Sequence, residues 1–139
     1  YAEAGLYDIS LADTAGHAHP EQVERLFSTV LELDTNIECT CHFHNTYGLG
    51  MANIFAALRV GVTSFETSFA GLGGCPFTKV AAGNVATEDF VNALQLQGLR
   101  EEIKLDGLIG VANDVAGFFE REMPGCVYKT GRSLKGEAS

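Results

Sequence analysis

The sequence predicts an α/β protein built on a parallel sheet. Three observations lead there. Short β-compatible segments alternate with amphipathic ones four times in succession, as βα units do. Apolar residues make up 46% of the 139 residues and charged residues 19%, enough to bury a core in one domain of ordinary length. Glycine and polar turn residues separate the segments at short intervals, so the elements are connected without long linkers.

Taken in order, Tyr7 to Ala12 reads as the first strand and ends in the polar turn Asp13-Thr14-Ala15-Gly16. Pro20 suits the first position of a helix, with Glu21 and Glu24 near its positive end. Val23, Leu26, Phe27, Val30 and Leu31 follow as one apolar stripe. Ile37 to His44 is the second strand. Its period-two alternation puts Ile37, Cys39, Cys41 and Phe43 on one side and Glu38, Thr40, His42 and His44 on the other. A helix from about Gly50 to Val60 carries Ile54, Phe55 and Leu58, and Gly61 stops it.

Val62 to Phe69 is the third strand and runs into the glycine-rich Ala70-Gly71-Leu72-Gly73-Gly74-Cys75-Pro76. Thr78 to Val85 is a weak fourth strand. Thr87 is the expected N-cap of the next helix, with Glu88 and Asp89 in its first turn and Phe90, Val91 and Leu94 on its buried face. A last helix spans about Asp106 to Glu120, with Leu105, Ile109, Ala112, Ala116 and Phe119 to one side and Pro124-Gly125 as its stop. Residues 1–128 form the expected domain, and residues 129–139 read as a loose polar tail. The pattern fits an open flavodoxin-like sheet as well as part of a (β/α)₈ barrel, which needs roughly 250 residues when whole.

Nine Lys and Arg stand against 18 Asp and Glu, a net charge of −9, which argues against nucleic-acid and anionic-membrane partners. No apolar run approaches the roughly 20 residues of a spanning helix. Four cysteines, at 39, 41, 75 and 126, form no Cys-x-x-Cys set, so reduced thiols and a cytoplasmic setting are expected. A mitochondrial matrix is the alternative for a eukaryotic source.

The sharpest chemical signal is His42-Phe43-His44-Asn45 at a strand end. Residues i and i+2 of a strand share a face, so two imidazoles there can share one metal ion. At the C-terminal end of a parallel strand they would face the mouth where such folds place active sites. His17-Ala18-His19 has the same spacing, but it lies between a turn and Pro20, where hydrogen bonding and solvent suffice. Asp13 could orient or deprotonate a substrate hydroxyl, or could cap its own turn. Cys75 sits where glycines allow a mobile loop, as a proton donor or nucleophile or as a small buried apolar residue. Asn84 could offer its amide oxygen to a hard cation.

Four segments together resemble the 3-hydroxy-3-methylglutaryl-CoA lyase family: Ile9 to Gly16, His42 to Gly48, Gly71 to Pro76, and Ala82 to Asp89. The His-x-His-Asn element also occurs in the related isopropylmalate and homocitrate synthases, whereas Gly-Leu-Gly-Gly-Cys-Pro is more specific to the lyase. The resemblance implies half of a TIM barrel, matching strands five to eight, and retro-Claisen cleavage of hydroxymethylglutaryl-CoA to acetyl-CoA and acetoacetate. It further implies that His42, His44 and Asn84 ligate a divalent Mg²⁺ or Mn²⁺ and that Asp13, Cys75 and His42 take part in proton transfer. Thr14, Gly73 and Gly74 would contact the acyl-CoA substrate. The family's Asp-Arg-Glu motif, which supplies an anionic ligand and a cationic partner for the enolate, has no counterpart among these 139 residues. The chain is therefore expected to be incomplete for catalysis and to form a homo-oligomer through open sheet edges. Two other readings stay open: a relative of the Claisen-type synthases or a lyase for another 3-hydroxyacyl-CoA, and a non-catalytic half-barrel used in assembly.

Overall fold

The computed structural model describes residues 1–74 and 83–132. These form two compact units, one comprising Tyr1–Glu66 and Gly74–Asn84, the other Thr67–Gly73 and Val85–Ser139.

The first unit is a parallel sheet covered by two helices. β1 (Asp8–Asp13), β2 (Glu38–Phe43) and β3 (Ser64–Glu66) pair in the order β1-β2-β3. β1 pairs with β2 from Asp8↔Glu38 to Asp13↔Phe43, and β2 pairs with β3 at Thr40↔Ser64, Cys41↔Phe65 and His42↔Glu66. β2 is the central strand and carries the alternation that the sequence dictates. Ile37, Cys39, Cys41 and Phe43 are all buried, while Glu38, Thr40 and His42 face away from that core. β1 has no fully buried residue, because no described strand covers its outer edge.

α1 (Pro20–Leu31) starts where Pro20 needs no backbone donor, and the Gln22 side chain reaches back to accept the His19 N–H at 3.2 Å. Val23 and Phe27 are buried, with Phe27 edge-on to Phe43 at a centroid distance of 6.1 Å. Leu26, expected in the same stripe, is 52% exposed instead. It borders a cavity of about 170 Å³ beside β1, lined also by Leu11, Val23, Phe27 and Phe43. α2 (Gly50–Arg59) buries Asn53, Ile54, Ala56 and Ala57, while Phe55 and Leu58 stay half-buried. Its last residue, Arg59, pairs with Glu24 of α1 (Nε to Oε1 2.8 Å).

Gly16 requires glycine for two reasons. Its φ is +72°, and a Cβ there would sit 2.9 Å from the Cβ of Thr46.

The second unit is helical: α3 (Thr87–Leu96), α4 (Leu105–Phe118) and the single turn α5 (Val127–Thr130). Leu105 and Ala112 are the buried residues of α4, whereas Phe119, expected on that face, is 44% exposed. Asp89 of α3 accepts the backbone N–H groups of Cys126 (2.9 Å) and Val127 (2.7 Å), which fixes the start of α5. Glu88 is fully buried beside it. One carboxylate oxygen accepts the Ala70 N–H at 3.1 Å, and the other has no hydrogen-bonding partner among the described residues. Ala70 has φ +55°, unusual for a residue with a side chain, and Glu88 holds that strained turn. Gly125 leaves the space that Glu88 fills, since a Cβ there would meet Oε1 at 2.6 Å.

Several elements differ from the sequence expectation. β3 covers three residues rather than eight, because after Glu66 the chain turns into a 3-10 segment at Phe69–Gly71. Of the expected fourth strand, residues 78–82 lie outside the described residues. Asn84 and Ala86 make only isolated bridges, to His44 and Ser68. The described residues thus hold three parallel strands rather than four. Ala86, not Thr87, is the N-cap of α3, since the Thr87 hydroxyl is committed to that of Thr67 at 2.9 Å. The expected tail begins inside α5, where Lys129 and Thr130 are helical and Lys129 pairs with Glu122 at 2.9 Å; residues 133–139 lie outside the described residues.

Two stability predictions follow from these packing details. Gly16→Ala should cost at least about 1–2 kcal/mol from the left-handed backbone alone and lower Tm by about 3–8 °C, measured by thermal denaturation. Burial pushes the Glu88 carboxyl above the ordinary carboxylate range. The folded state then holds that proton more tightly than the unfolded chain, so this contribution to stability is present at low pH and lost as pH rises through the elevated value. Glu88→Gln should flatten the dependence, read as a smaller Tm difference between pH 5 and pH 8.

Candidate functional site

The C-terminal ends of β1 and β2 bring three of the sequence-predicted residues to one side of the first unit, where ligands of open α/β sheets bind. His42 is in the last turn of pleat of β2, and His44 follows Phe43 directly after it. Their Nε2 atoms lie 3.2 Å apart and their ring centroids 5.2 Å apart, inclined at 50°. His44 is 7% exposed. Burial, then the neighbouring His42, lowers its pKa against an opposing pull from Asp13, so its ring stays neutral to lower pH than an ordinary histidine.

Glu66 at the end of β3 completes the arrangement. Its Oε2 is 2.7 Å from Nδ1 of His42. The parallel register sets the two residues directly opposite, and two residues back along the strands the Thr40 and Ser64 hydroxyls meet at 2.9 Å. Glu66 was not among the residues singled out from the sequence. The available signal was weak: a period-two relation to Ser64 in the third strand, with no way to know which β2 residue stood across from it.

Asp13 ends β1. Its carboxylate accepts the His17 N–H at 3.0 Å and the Ala18 N–H at 2.8 Å, and its own carbonyl accepts the Gly16 N–H at 3.2 Å and the His44 N–H at 3.4 Å. The turn role is therefore present in full, and it holds the carboxylate beside His44. Thr14 is exposed in the same turn. His17 lies against the Tyr47 ring at 5.1 Å and His19 is the N-cap of α1, so this second His-x-His pair does not converge as the first does.

Asn84 enters through the backbone. Its bridge to His44 and the Gly83 carbonyl accepting the Asn45 N–H at 3.1 Å place it beside the histidine pair. Gly74, in the same unit, is exposed. Gly73, in the other unit, is exposed with φ +128°. Cys75 lies outside the described residues. Cys39 and Cys41 are buried, and burial pushes the Cys41 thiol up to about 12 and the Cys39 thiol upward as well. Both therefore hold less thiolate near neutral pH than an ordinary cysteine.

The two imidazoles suit one cation. A metal about 2.1 Å from each nitrogen spans about 3.0 Å between them at a right angle and about 3.4 Å at the tetrahedral angle. The observed 3.2 Å falls between these. Among the described residues, however, no group of three His, Cys, Asp or Glu side chains is arranged to hold a metal. The pair alone supplies two ligands, too few to complete a coordination sphere.

A parallel α/β unit with paired imidazoles at the mouth of its strands defines a class of enzyme-type sites rather than one protein. Comparison narrows it. The chain belongs to the HMGL-like family, whose model matches residues 1–115. The (R)-citramalyl-CoA lyase of Chloroflexus aurantiacus is 40% identical over 129 residues, 93% of this chain and 41% of that protein. The hydroxymethylglutaryl-CoA lyase YngG of Bacillus subtilis is 37% identical over 122 residues, 88% of this chain and 41% of that protein. The structure of an HMG-CoA lyase from Acinetobacter baumannii, in complex with coenzyme A and 3-methylmalate, superposes with a TM-score of 0.89 at 42% identity, covering 97% of this chain and 44% of that one. The chain thus spans about two-fifths of the length of these relatives. No helix among the described residues is long and apolar enough to cross a membrane.

The burial of the β2 thiols gives a direct check. Iodoacetamide near pH 7.5 should alkylate the exposed Cys126 and leave Cys39 and Cys41 unmodified until denaturant is added, as read by peptide mass spectrometry.

Proposed function

We propose that the chain supplies the metal-holding side of the active site of a carbon–carbon lyase that cleaves 3-hydroxy-3-methylglutaryl-CoA to acetyl-CoA and acetoacetate. The observation that carries this reading is the convergence of two Nε2 atoms to 3.2 Å at the C-terminal end of a parallel strand, in a chain 37–42% identical to proteins named hydroxymethylglutaryl-CoA lyase. The described elements then correspond to part of the second half of a TIM barrel.

In this reading His42 and His44 hold a divalent Mg²⁺ or Mn²⁺, and Asn84 adds its amide oxygen. The cation supplies Lewis-acid polarisation of the substrate's oxygens. Asp13, fixed by two backbone N–H groups, engages the tertiary hydroxyl and accepts its proton as the C2–C3 bond breaks. The electron pair passes into the thioester enolate of acetyl-CoA, and C3 becomes the ketone carbon of acetoacetate. Cys75 returns a proton to that enolate, with His42 assisting proton movement. Thr14, Gly73 and Gly74 contact the acyl-CoA. The anionic ligand and the cationic partner of the enolate come from outside these 139 residues. Their contribution is worth several kcal/mol in comparable sites, so the 139-residue chain by itself should show little or no turnover.

The 40% identity to a protein named (R)-citramalyl-CoA lyase favours a second reading of the substrate alone, a different 3-hydroxyacyl-CoA cleaved by the same bond-breaking step. A panel of CoA esters assayed with the complete protein separates the two.

Self-association of the 139-residue chain accompanies this reading, supported by the edge of β1, which no described strand pairs, and the apolar cavity beside it. Sedimentation should show a dimer or larger species, and a stable monomer would contradict it. For the metal site, His42→Ala and His44→Ala should each weaken Mn²⁺ binding at least about 10-fold by calorimetric titration. Unchanged affinity in both variants would favour a non-catalytic assembly role.

A further inference from the structure

We propose that Glu66 is a positioning residue for His42: its carboxylate selects the Nδ1–H form of the imidazole and thereby aims the Nε2 lone pair at the point shared with His44. The inference rests on the metal-holding role of the pair proposed above and extends it to a residue of a different strand.

Three observations carry it. The contact is short, 2.7 Å from His42 Nδ1 to Glu66 Oε2, and it meets the ring on the nitrogen that does not face His44. Glu66 therefore cannot share a cation with His42 through that oxygen, which separates a positioning role from a ligand role. The contact is also fixed by the sheet, since β2 and β3 pair His42 directly with Glu66 and the hydroxyls of Thr40 and Ser64 join two residues back. Finally, the partner ring has no such guide among the described residues. Nδ1 of His44 is buried without a hydrogen-bonding partner there, so the described geometry orients the pair from the His42 side.

The chemistry is that of a carboxylate as an acceptor only. An ionised Glu66 can accept from Nδ1–H but cannot donate to a bare Nδ1, so a neutral His42 carries its proton on Nδ1 and presents a lone pair at Nε2. A ligand histidine needs that state, and a carboxylate behind the ring also fixes the ring's orientation. A plain ion pair between partly exposed groups would make no such selection and would contribute little.

The test uses ¹⁵N-histidine-labelled, metal-free protein at a pH where His42 is neutral, with long-range ¹H–¹⁵N correlations to assign its tautomer. Wild type should show the Nδ1–H form. Glu66→Ala should shift it to a mixture or to the Nε2–H form and weaken Mn²⁺ binding about 10- to 100-fold. Glu66→Gln, which keeps the shape but can accept or donate, should fall between, and it serves if the alanine variant does not fold. A wild-type His42 in the Nε2–H form, or a tautomer unchanged in both variants, would overturn the proposal whatever the metal does. Wild type in the Nδ1–H form that binds no Mn²⁺, with the tautomer shifted in the variants, would support the positioning role and remove the metal reading instead.

Discussion

The register of three parallel strands is the constraint on which the site depends. β2 is buried through Ile37, Cys39, Cys41 and Phe43, and a strand held so firmly on one face must turn the intervening residues to the other. A slip of one residue would send His42 into the core and Cys41 toward the mouth. With register fixed, His42 stands across from Glu66 and alongside His44, and Asp13 ends its strand next to them. The polar cluster is thus a consequence of apolar packing on the opposite face.

The same economy appears in the second unit, where two adjacent acids, one of them buried, organise backbone. Asp89 spends its carboxylate on the first N–H groups of α5, and Glu88 secures the left-handed Ala70 from inside the core. Glu88 is costly to bury as a charge, and Gly125 is the residue that makes room for it. The sequence offers both acids as favourable neighbours of a helix N-terminus, and the structure uses them as long-range anchors.

Much of the site was legible in the order of residues. His42 and His44 share a face because strand periodicity is two, and Asp13 falls where the first strand meets a turn. The second His-x-His pair was also legible as different, since Pro20 places it at a helix start. Glu66 was not legible, because its importance comes from a residue 24 positions away in a neighbouring strand. The fourth strand was read from a β-compatible run, but the bridges at Asn84 and Ala86 are single pairings rather than a ladder. Leu26 and Phe119 fit their helical stripes by spacing alone, yet each lies where no described element covers it.

The sequence alone determined the α/β alternation, the buried face of β2, the start of α1 at Pro20 and the family resemblance, because each is written in local periodicity, turn chemistry or contiguous motifs. Only the tertiary structure decided which residues stand opposite one another. The strand register, the Glu66–His42 contact, the 3.2 Å approach of the imidazoles and the use of Glu88 and Asp89 all depend on distances between segments far apart in the chain. Local patterns specify which face a side chain takes, whereas its partner across the sheet is set by how whole elements pack.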